Sequence, residues 1–424
     1  MKKYIERLPE EIRELIYFAK ELAAYRGAEA YLVGGFVRDM LLGVKNFDLD
    51  IVVVGDGIRF GEYFAKLLKG KLVRHRRFGT ATLVLKHGLK IDFASARSEV
   101  YPEPASLPIV RPGSLKDDLY RRDFTINAMA VSLKERDFGS IVDYFGGKQD
   151  LDSGKIRILH DLSFIDDPTR LIRAVRFKER YGFSIEPRTL GRFKEAVRLC
   201  MLEKVEPQRI RDDIILLLKE DNPARCVLRL RRLSGFKFID RRLNVSNDTV
   251  KLLHSVQRQV AWFIKAHPER RKPDKWLVYF MALTASLSTR SLKLIIRRLA
   301  LKKGEEKRIM SYHACVSKVA SALKRKSIPP SGLSAILEPL SYEVILLLKA
   351  RYSDRNLQDN IRKFFVYLNG MRIHIRGEDL HLLGLKPGPH YQRILKAVLA
   401  AKLDGKVGTR EEELHMAKEL FNKI

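Results

Sequence analysis

Cysteine is scarce. Cys200, Cys226 and Cys315 are the only three in 424 residues, far apart and odd in number. They offer neither a disulfide framework nor a CxxC zinc knuckle, as suits a reducing cytoplasm. Long apolar runs are also missing. No stretch approaches the ~20 residues that span a bilayer, so no membrane partner is expected. The N-terminal MKKYIERLPEEIRELIYF has two lysines but no apolar segment behind them, so no secretory leader is expected. The absence of GxxxxGK[ST] disfavours P-loop chemistry, and the absence of a fixed-period repeat excludes a solenoid.

Acidic residues are the last shortage. Asp and Glu total 51 against 81 Lys and Arg, a net charge of +30. The imbalance is uneven along the chain. Residues 1–150 carry 25 basic and 21 acidic side chains, whereas the remaining 274 carry 56 and 30. A balanced first third followed by a cationic remainder suits chemistry in front and a grip on a polyanion behind, because Lys and Arg contacts to phosphate dominate nucleic-acid affinity. A heat-adapted surface would normally be enriched in acids as well.

With 46% hydrophobic and 31% charged residues, the chain reads as globular and long enough for roughly two to four domains. Residues 8–26 have helical apolar spacing, with acids early and Arg26 late, as the helix dipole prefers. Strand-like runs rich in Val, Ile and Phe follow: 30–35, 48–55, 71–78, 80–86, 90–97 and 127–133, with a short helix at 36–43. From about residue 160 the pattern is helical: 167–181, 187–200, 206–220, 222–234, 248–266, 273–286, 289–300, 304–324, 331–350, 355–369 and 390–402. The Gly- and Pro-punctuated GEDLHLLGLKPGP (377–389) opens a terminal helical subdomain. The expected fold is α+β: a small mixed sheet with helices, followed by an all-α body and tail. The expected division is a head (1–150), a neck (151–240), a body (241–370) and a tail (371–424).

The chemistry-bearing residues begin with Gly34 and Gly35 at the end of an apolar strand, followed by a helix with Arg38. Paired glycines let backbone N–H groups approach an anion, and a helix N-terminus favours negative charge. Arg38 could clamp a phosphate with its fork of donors. Asp48 and Asp50 then enter the strand IVVV. Residues i and i+2 of a strand share a face about 7 Å apart, and two such carboxylates repel unless a hard divalent cation sits between them. Asp92, between Ile91 and Phe93, is a candidate third acid. Arg121 and Arg122, leading through Asp123 into the strand that starts at Asn127, suit a triphosphate and ribose site. At 166–176, Pro168 reads as the first helical position with Asp167 as N-cap. Arg170, Arg173 and Arg176 then form a stripe opposite Leu171, Ala174 and Val175. Taken alone, that stripe reads as a solvated basic face.

In this order the motifs resemble the nucleotidyltransferase superfamily that includes DNA polymerase β-like enzymes. YLVGGFVRDMLLGVKNFDLDIVVVG (31–55) looks like the first motif of the class II tRNA nucleotidyltransferase and bacterial poly(A) polymerase family, and RRDFTINA (121–128) looks like its RRDFT-x-NA block. The resemblance is strong over residues 30–235 and looser in the tail. It implies a polymerase-β-like head with Asp48 and Asp50 as metal-binding catalytic acids, Asp92 as a third catalytic acid, and Mg²⁺ as cofactor. Gly34, Gly35, Arg38, Arg122, Asp123, Asn127, Arg173 and Arg176 would contact the nucleotide. Asp167 and Arg170 match the family's EDxxR segment and would read the edge of the incoming base; Asp166 stands where the family has Glu, which puts its supporting role in question.

The resemblance further implies the addition of nucleotides to the 3′ end of tRNA, gripped by its acceptor and T-arm helix, with ATP as donor or with CTP as well. It implies no stable protein partner. RRDFTINAMA and LSFIDDPTRLIRAVRF look most like the branch that adds the terminal A. Full CCA addition, CC addition, poly(A) polymerase activity and a non-catalytic RNA-binding role are the alternatives. The family's distinction among nucleotides lies partly in a flexible loop that falls here at residues 98–118.

Overall fold

The computed structural model describes residues 1–45, 47–86 and 88–422. Asn46 and His87 of the expected head and Lys423–Ile424 of the expected tail lie outside the described residues. The chain divides into two compact units, Met1–Ile239 and Asp240–Ile424.

The first unit is built on a seven-stranded mixed sheet. Its strands are β1 (Glu29–Val33), β2 (Leu49–Val54), β3 (Lys71–His75), β4 (Thr80–Val84), β5 (Lys90–Ser95), β8 (Ala130–Ser132) and β9 (Ile141–Val142), in the spatial order β3-β4-β5-β2-β1-β8-β9. Within this sheet, among the described residues, only β2 and β5 run parallel; they are joined by a crossover that contains the helix Gly57–Leu68 and the β3–β4 hairpin. β2 is central, so Leu49, Ile51, Val52 and Val53 are all buried, as a strand covered on both faces requires. The crossover helix lies close on β5. A Cβ on Gly57 would come within 2.6 Å of the Ala94 carbonyl oxygen and the Ser95 nitrogen, so only glycine permits that approach.

Several expectations are corrected. The run 71–78 ends as a strand at His75 and closes in a 3₁₀ turn, Arg76–Phe78, because Gly79 must adopt a positive φ of 62°. Residues 98–118, expected as a flexible loop, contain an antiparallel ribbon of β6 (Arg97–Val100) and β7 (Ile109–Pro112), then a short helix, Leu115–Tyr120, capped by Ser114 and Asp117. Helices Thr169–Tyr181, Pro187–Arg198, Pro207–Leu218 and Pro223–Leu233 complete the unit.

The second unit is helical. Every residue of Trp276–Leu283 is buried, in a helix packed against Asn247–Ala266 and Tyr342–Arg351. The helix expected over 331–350 is two helices, Pro330–Leu337 and Tyr342–Arg351, meeting at 107°. Pro339 cannot continue a helix, and Ser341 caps the next one. The run 355–369 is α-helical to Lys363 and then winds into a π-helical turn, Phe364–Leu368. Ile375, Leu380, Leu385, Ile394, Val398 and Ala417 form a separate small core near the C-terminal end. Among the described residues no single helix is long and apolar enough to cross a membrane.

Candidate active site

Strand register places the acids. Asp50 lies beside Asp92 across the parallel β2–β5 pair, and Asp48 directly precedes β2. Asp48 and Asp50 line one cavity of about 740 Å³. Asp92 does not line it; it borders a second cavity of about 380 Å³, which shares Asp50 and Arg122 with the first. The Thr82 hydroxyl donates to the Asp92 carboxylate from β4. Burial raises the Asp50 carboxyl to about 6, with Asp92 and Asp48 adding to the rise and Arg122 opposing it.

Among the described residues no group of three or more His, Cys, Asp or Glu forms a ready-made metal cage. A hard divalent ion in phosphoryl transfer needs only one or two protein carboxylates, with water and substrate phosphates filling the rest. A half-buried carboxylate whose charge is disfavoured by burial and by neighbouring acids, in a set of oxygen donors alone, fits such an ion.

The glycine pair, expected at the end of the strand, opens the following helix instead. The helix Gly34–Leu42 begins at Gly34 itself, and the Gly34 N–H donates to the Met129 carbonyl at 3.3 Å. Gly34 has φ +68°, and a Cβ there would lie 2.5 Å from Arg122 Nη1 and 3.8 Å from Asp50 Oδ2. Glycine is therefore what lets Arg122 approach the acid. Gly35 lines the cavity. Arg38 is buried; its Nε donates to Asp39 at 2.8 Å, its Nη1 donates to Asn127 Oδ1, and its guanidinium lies 5.2 and 4.9 Å from the Phe177 and Tyr181 ring centroids. A side chain fixed on so many sides meets an anion without further ordering cost.

Helix Thr169–Tyr181 forms the facing wall. It starts one residue later than expected, with Pro168 as N-cap, and the Asp167 side chain accepts from the Thr169 N–H at 3.1 Å. The arginine stripe is not a solvated face: Arg170 and Arg176 are 3% and 6% exposed, and both line the cavity with Arg173. Arg173 donates to Asp123 at 2.8 Å, and Asn127 donates to the other Asp123 oxygen at 2.8 Å. Burial would raise the Asp123 carboxyl, but Arg173, Asn127 and Arg170 hold it below the ordinary aspartate range. Arg170 donates to the Ser163 hydroxyl at 2.6 Å and to the Arg121 carbonyl at 2.7 Å. Arg176 donates to Glu220 at 3.1 Å. Asp166 does not line the cavity and lies 3.8 Å from His160 Nδ1.

Sequence reasoning did not single out four side chains that shape this wall. Arg209 donates to Asp167 Oδ1 at 2.7 Å and to the Ala105 carbonyl at 3.1 Å. It belongs to the EPQRIRDD helix start, a cue within the resembling region. Glu99 accepts from Arg121 at 3.1 Å and from the Tyr101 hydroxyl at 3.1 Å, and all three line the cavity. Nothing in the sequence marks Glu99 or Tyr101. Asp118, fully buried, accepts from both Arg121 and Arg122; its only cue is its place four residues before Arg122.

Eight arginines and five carboxylates line the cavity, a surface suited to a polyanionic ligand with a cation-binding end. The fold, with acids on paired central strands beneath this cationic wall, belongs to the nucleotidyltransferase class. Residues 30–157 match the family model described as the poly A polymerase head domain, and residues 182–240 match a probable RNA and SrmB- binding site of polymerase A. The chain is 39% identical over 395 residues to an A-adding tRNA nucleotidyltransferase of Geobacter sulfurreducens, covering 92% of this chain but 45% of that protein. It is 34% identical to an A-adding tRNA nucleotidyltransferase of Halalkalibacterium halodurans, covering 95% of this chain and 91% of that one. A Thermotoga maritima CCA-adding enzyme complexed with tRNA_CCA superposes with a TM-score of 0.72 at 32% identity, covering 100% of this chain and 98% of that one. The chain thus spans less than half the length of the first relative. It belongs to the tRNA nucleotidyltransferase and poly(A) polymerase family.

Proposed function

We propose that this chain adds the 3′-terminal A to tRNA, using ATP and Mg²⁺ and releasing pyrophosphate, in the cytoplasm. The observation that carries the reading is one cavity holding both the acids Asp48 and Asp50 and the base-reading pair Asp167 and Arg170. The A-adding names of the two relatives favour terminal A addition. The likeness to a CCA-adding enzyme keeps full CCA addition as the second reading.

Asp48 and Asp50 would hold the cation, with Asp92 supporting Asp50 from β5. When bound, Mg²⁺ supplies charge neutralisation of the triphosphate and activation of the attacking hydroxyl. Gly35, Arg38 and Arg122 grip the phosphates beside Gly34. Asp123, Asn127, Arg173 and Arg176 shape the ribose and phosphate walls. The tRNA 3′-oxygen forms a bond to the α-phosphorus while the bond to pyrophosphate breaks in line.

Selection follows from hydrogen-bond order. Asp167 Oδ1 is engaged by Arg209 and Thr169, while Oδ2 lies 4.0 Å from Arg170 Nε. That places an acceptor beside a donor, matching the amino group and ring nitrogen of adenine or cytosine. Guanine and uracil present the reverse order and leave buried groups unpaired, at about 1–3 kcal/mol each.

In this reading residues 1–150 are the catalytic head and 151–240 the nucleotide-selecting neck. Residues 241–370 and 371–424 bind the tRNA acceptor and T-arm helix through backbone and shape, since duplex RNA hides its bases. The second unit, Asp240–Ile424, carries 36 basic and 17 acidic residues.

The test offers tRNAs ending before CCA, after C and after CC, with ATP or CTP supplied separately. Extension of only the CC-ending tRNA by ATP is expected. Extension of all three supports the second reading, and no extension of any refutes both.

A further inference from the structure

Beside the site lies a buried carboxylate that the proposed chemistry does not use. Asp118 lies on the helix Leu115–Tyr120 and is fully buried. Its Oδ1 accepts from Arg121 Nη2 at 2.7 Å and Nε at 3.0 Å, and its Oδ2 accepts from Arg122 Nη2 at 2.9 Å. Arg121 has a second acid, Glu99, at 3.1 Å. Arg122 lies between two acids of different kinds. On one side is Asp118, and on the other is Asp50, whose Oδ2 and Arg122 Nη1 both lie within 4 Å of the point where Gly34 would carry a Cβ. The Nε of Arg122 is buried with no hydrogen-bond partner among the described residues.

We propose that Asp118 is a positioning residue that holds Arg122 back from Asp50, so that Asp50 stays open to a divalent cation and Arg122 keeps its guanidinium in the cavity wall for the nucleotide phosphates.

The physical argument is a competition for one guanidinium. A buried charge-assisted pair is short and directional, and Asp118 offers one whose geometry is already met. Without that carboxylate, Arg122 loses its nearest counter-charge in a water-poor setting, where an unpaired charge is costly. A nearby alternative acid is Asp50. An Arg122–Asp50 pair would occupy the oxygen a cation needs and would turn the guanidinium away from the phosphates. Gly34 keeps this path short: with no side chain there, only a small swing of Arg122 separates the two pairings. Asp118 therefore acts on cation and nucleotide together, through Arg122, without touching either.

This rests on the proposed nucleotidyl transfer, so the parent's ATP-dependent extension of CC-ending tRNA is measured first; its absence refutes that reading, whereas the variants test Asp118. In Asp118→Asn the half-saturating Mg²⁺ concentration is expected to rise about tenfold, and the affinity for ATP in EDTA, followed by equilibrium dialysis, to fall about fivefold. Asp118→Glu, which keeps the charge but displaces it, is expected to show smaller shifts of the same sign. Retention of tRNA on a gel should stay within twofold of the parent in both. In an Arg122→Gln background the Asp118 substitution should add less than twofold to either shift, since the effect runs through Arg122. Parent-like Mg²⁺ requirement and ATP affinity in whichever Asp118 variant melts cooperatively, or full additivity with Arg122→Gln, would overturn the proposal.

Discussion

A residue proposed to hold a cation should be a liability when the cation is absent, and Asp50 allows that liability to be sized. Its carboxyl titrates at about 6, against an ordinary 3.8, chiefly because burial disfavours the charged form. The folded state therefore binds this proton more tightly than the unfolded chain. The associated stability is fully present below about pH 4 and is lost as pH rises through about 6. At 1.36 kcal/mol per pH unit, the difference corresponds to about 3 kcal/mol withdrawn from the first unit at neutral pH. Asp50→Asn keeps the shape and cannot ionise. In EDTA at pH 7.5 it should stabilise the first unit by about 1–3 kcal/mol, a rise in melting temperature of about 3–8 °C for a unit of this size.

Calorimetry at pH 7.5 and pH 5, with and without Mg²⁺, tests this. The gain should shrink at pH 5, where the parent carboxyl is largely protonated, and should shrink again when Mg²⁺ stabilises the parent at pH 7.5. Extension activity should be lost throughout. A variant that melts at or below the parent in EDTA, or a gain independent of pH, refutes the reasoning, because neither is compatible with an aspartate whose ionisation opposes folding.

Other perturbations should separate chemistry from scaffold. Asp48→Ala should reduce tRNA extension to below a few per cent while leaving tRNA retention on a gel largely intact. Arg209→Ala removes the donor 2.7 Å from Asp167 Oδ1 and should lower the ATP-over-GTP preference in kcat/KM about tenfold. Gly57→Ala forces a Cβ within 2.6 Å of the β5 backbone and should cost about 2–3 kcal/mol by chemical denaturation. Glu343 in the second unit is fully buried; burial would raise its carboxyl, but Arg271 and the Asp274 N–H bring it to about 2. Its contribution is present above the ordinary glutamate value and lost as pH falls toward 2, so Glu343→Gln should lower the melting temperature at pH 7 and show a smaller parent–variant gap at pH 3.

The order of strands and helices was legible because the chain changes period. Leu49 to Val53 is a run of apolar residues around one acid, and Trp276 to Leu283 is apolar all round; the apolar residues of each are buried as the pattern requires. What local pattern could not show was where tertiary contacts cut elements short. Pro339 hides inside an apolar run that is helical on both sides, and the β6–β7 ribbon is made of segments too polar to read as strands. Within the site, residues that face a ligand sit in dense motifs, whereas those that hold them in place come from remote positions. Arg209 meets Asp167 across 42 residues of chain, and Glu99 meets Arg121 across 22. Spacing carries no trace of such pairs, because only the fold brings them together.

In the proposed reading, that division would explain how a protein surface selects a base without a nucleic-acid template. A base edge is read by one acceptor and one donor, and two flexible side chains would adapt to several bases. Here Asp167 is pinned by Thr169 and Arg209, and Arg170 by Ser163 and the Arg121 carbonyl. Arg121 is itself fixed by Asp118 and Glu99. Each group proposed to read the base would thus be denied the movement that lets it satisfy the wrong partner. Discrimination then follows from the cost of leaving buried polar groups unpaired. Rigidity reaches the phosphate end through Asp118, which holds Arg121 and Arg122 with a single carboxylate. The proposed base wall and the proposed phosphate cradle would therefore share an anchor, so loosening either end should be felt at the other.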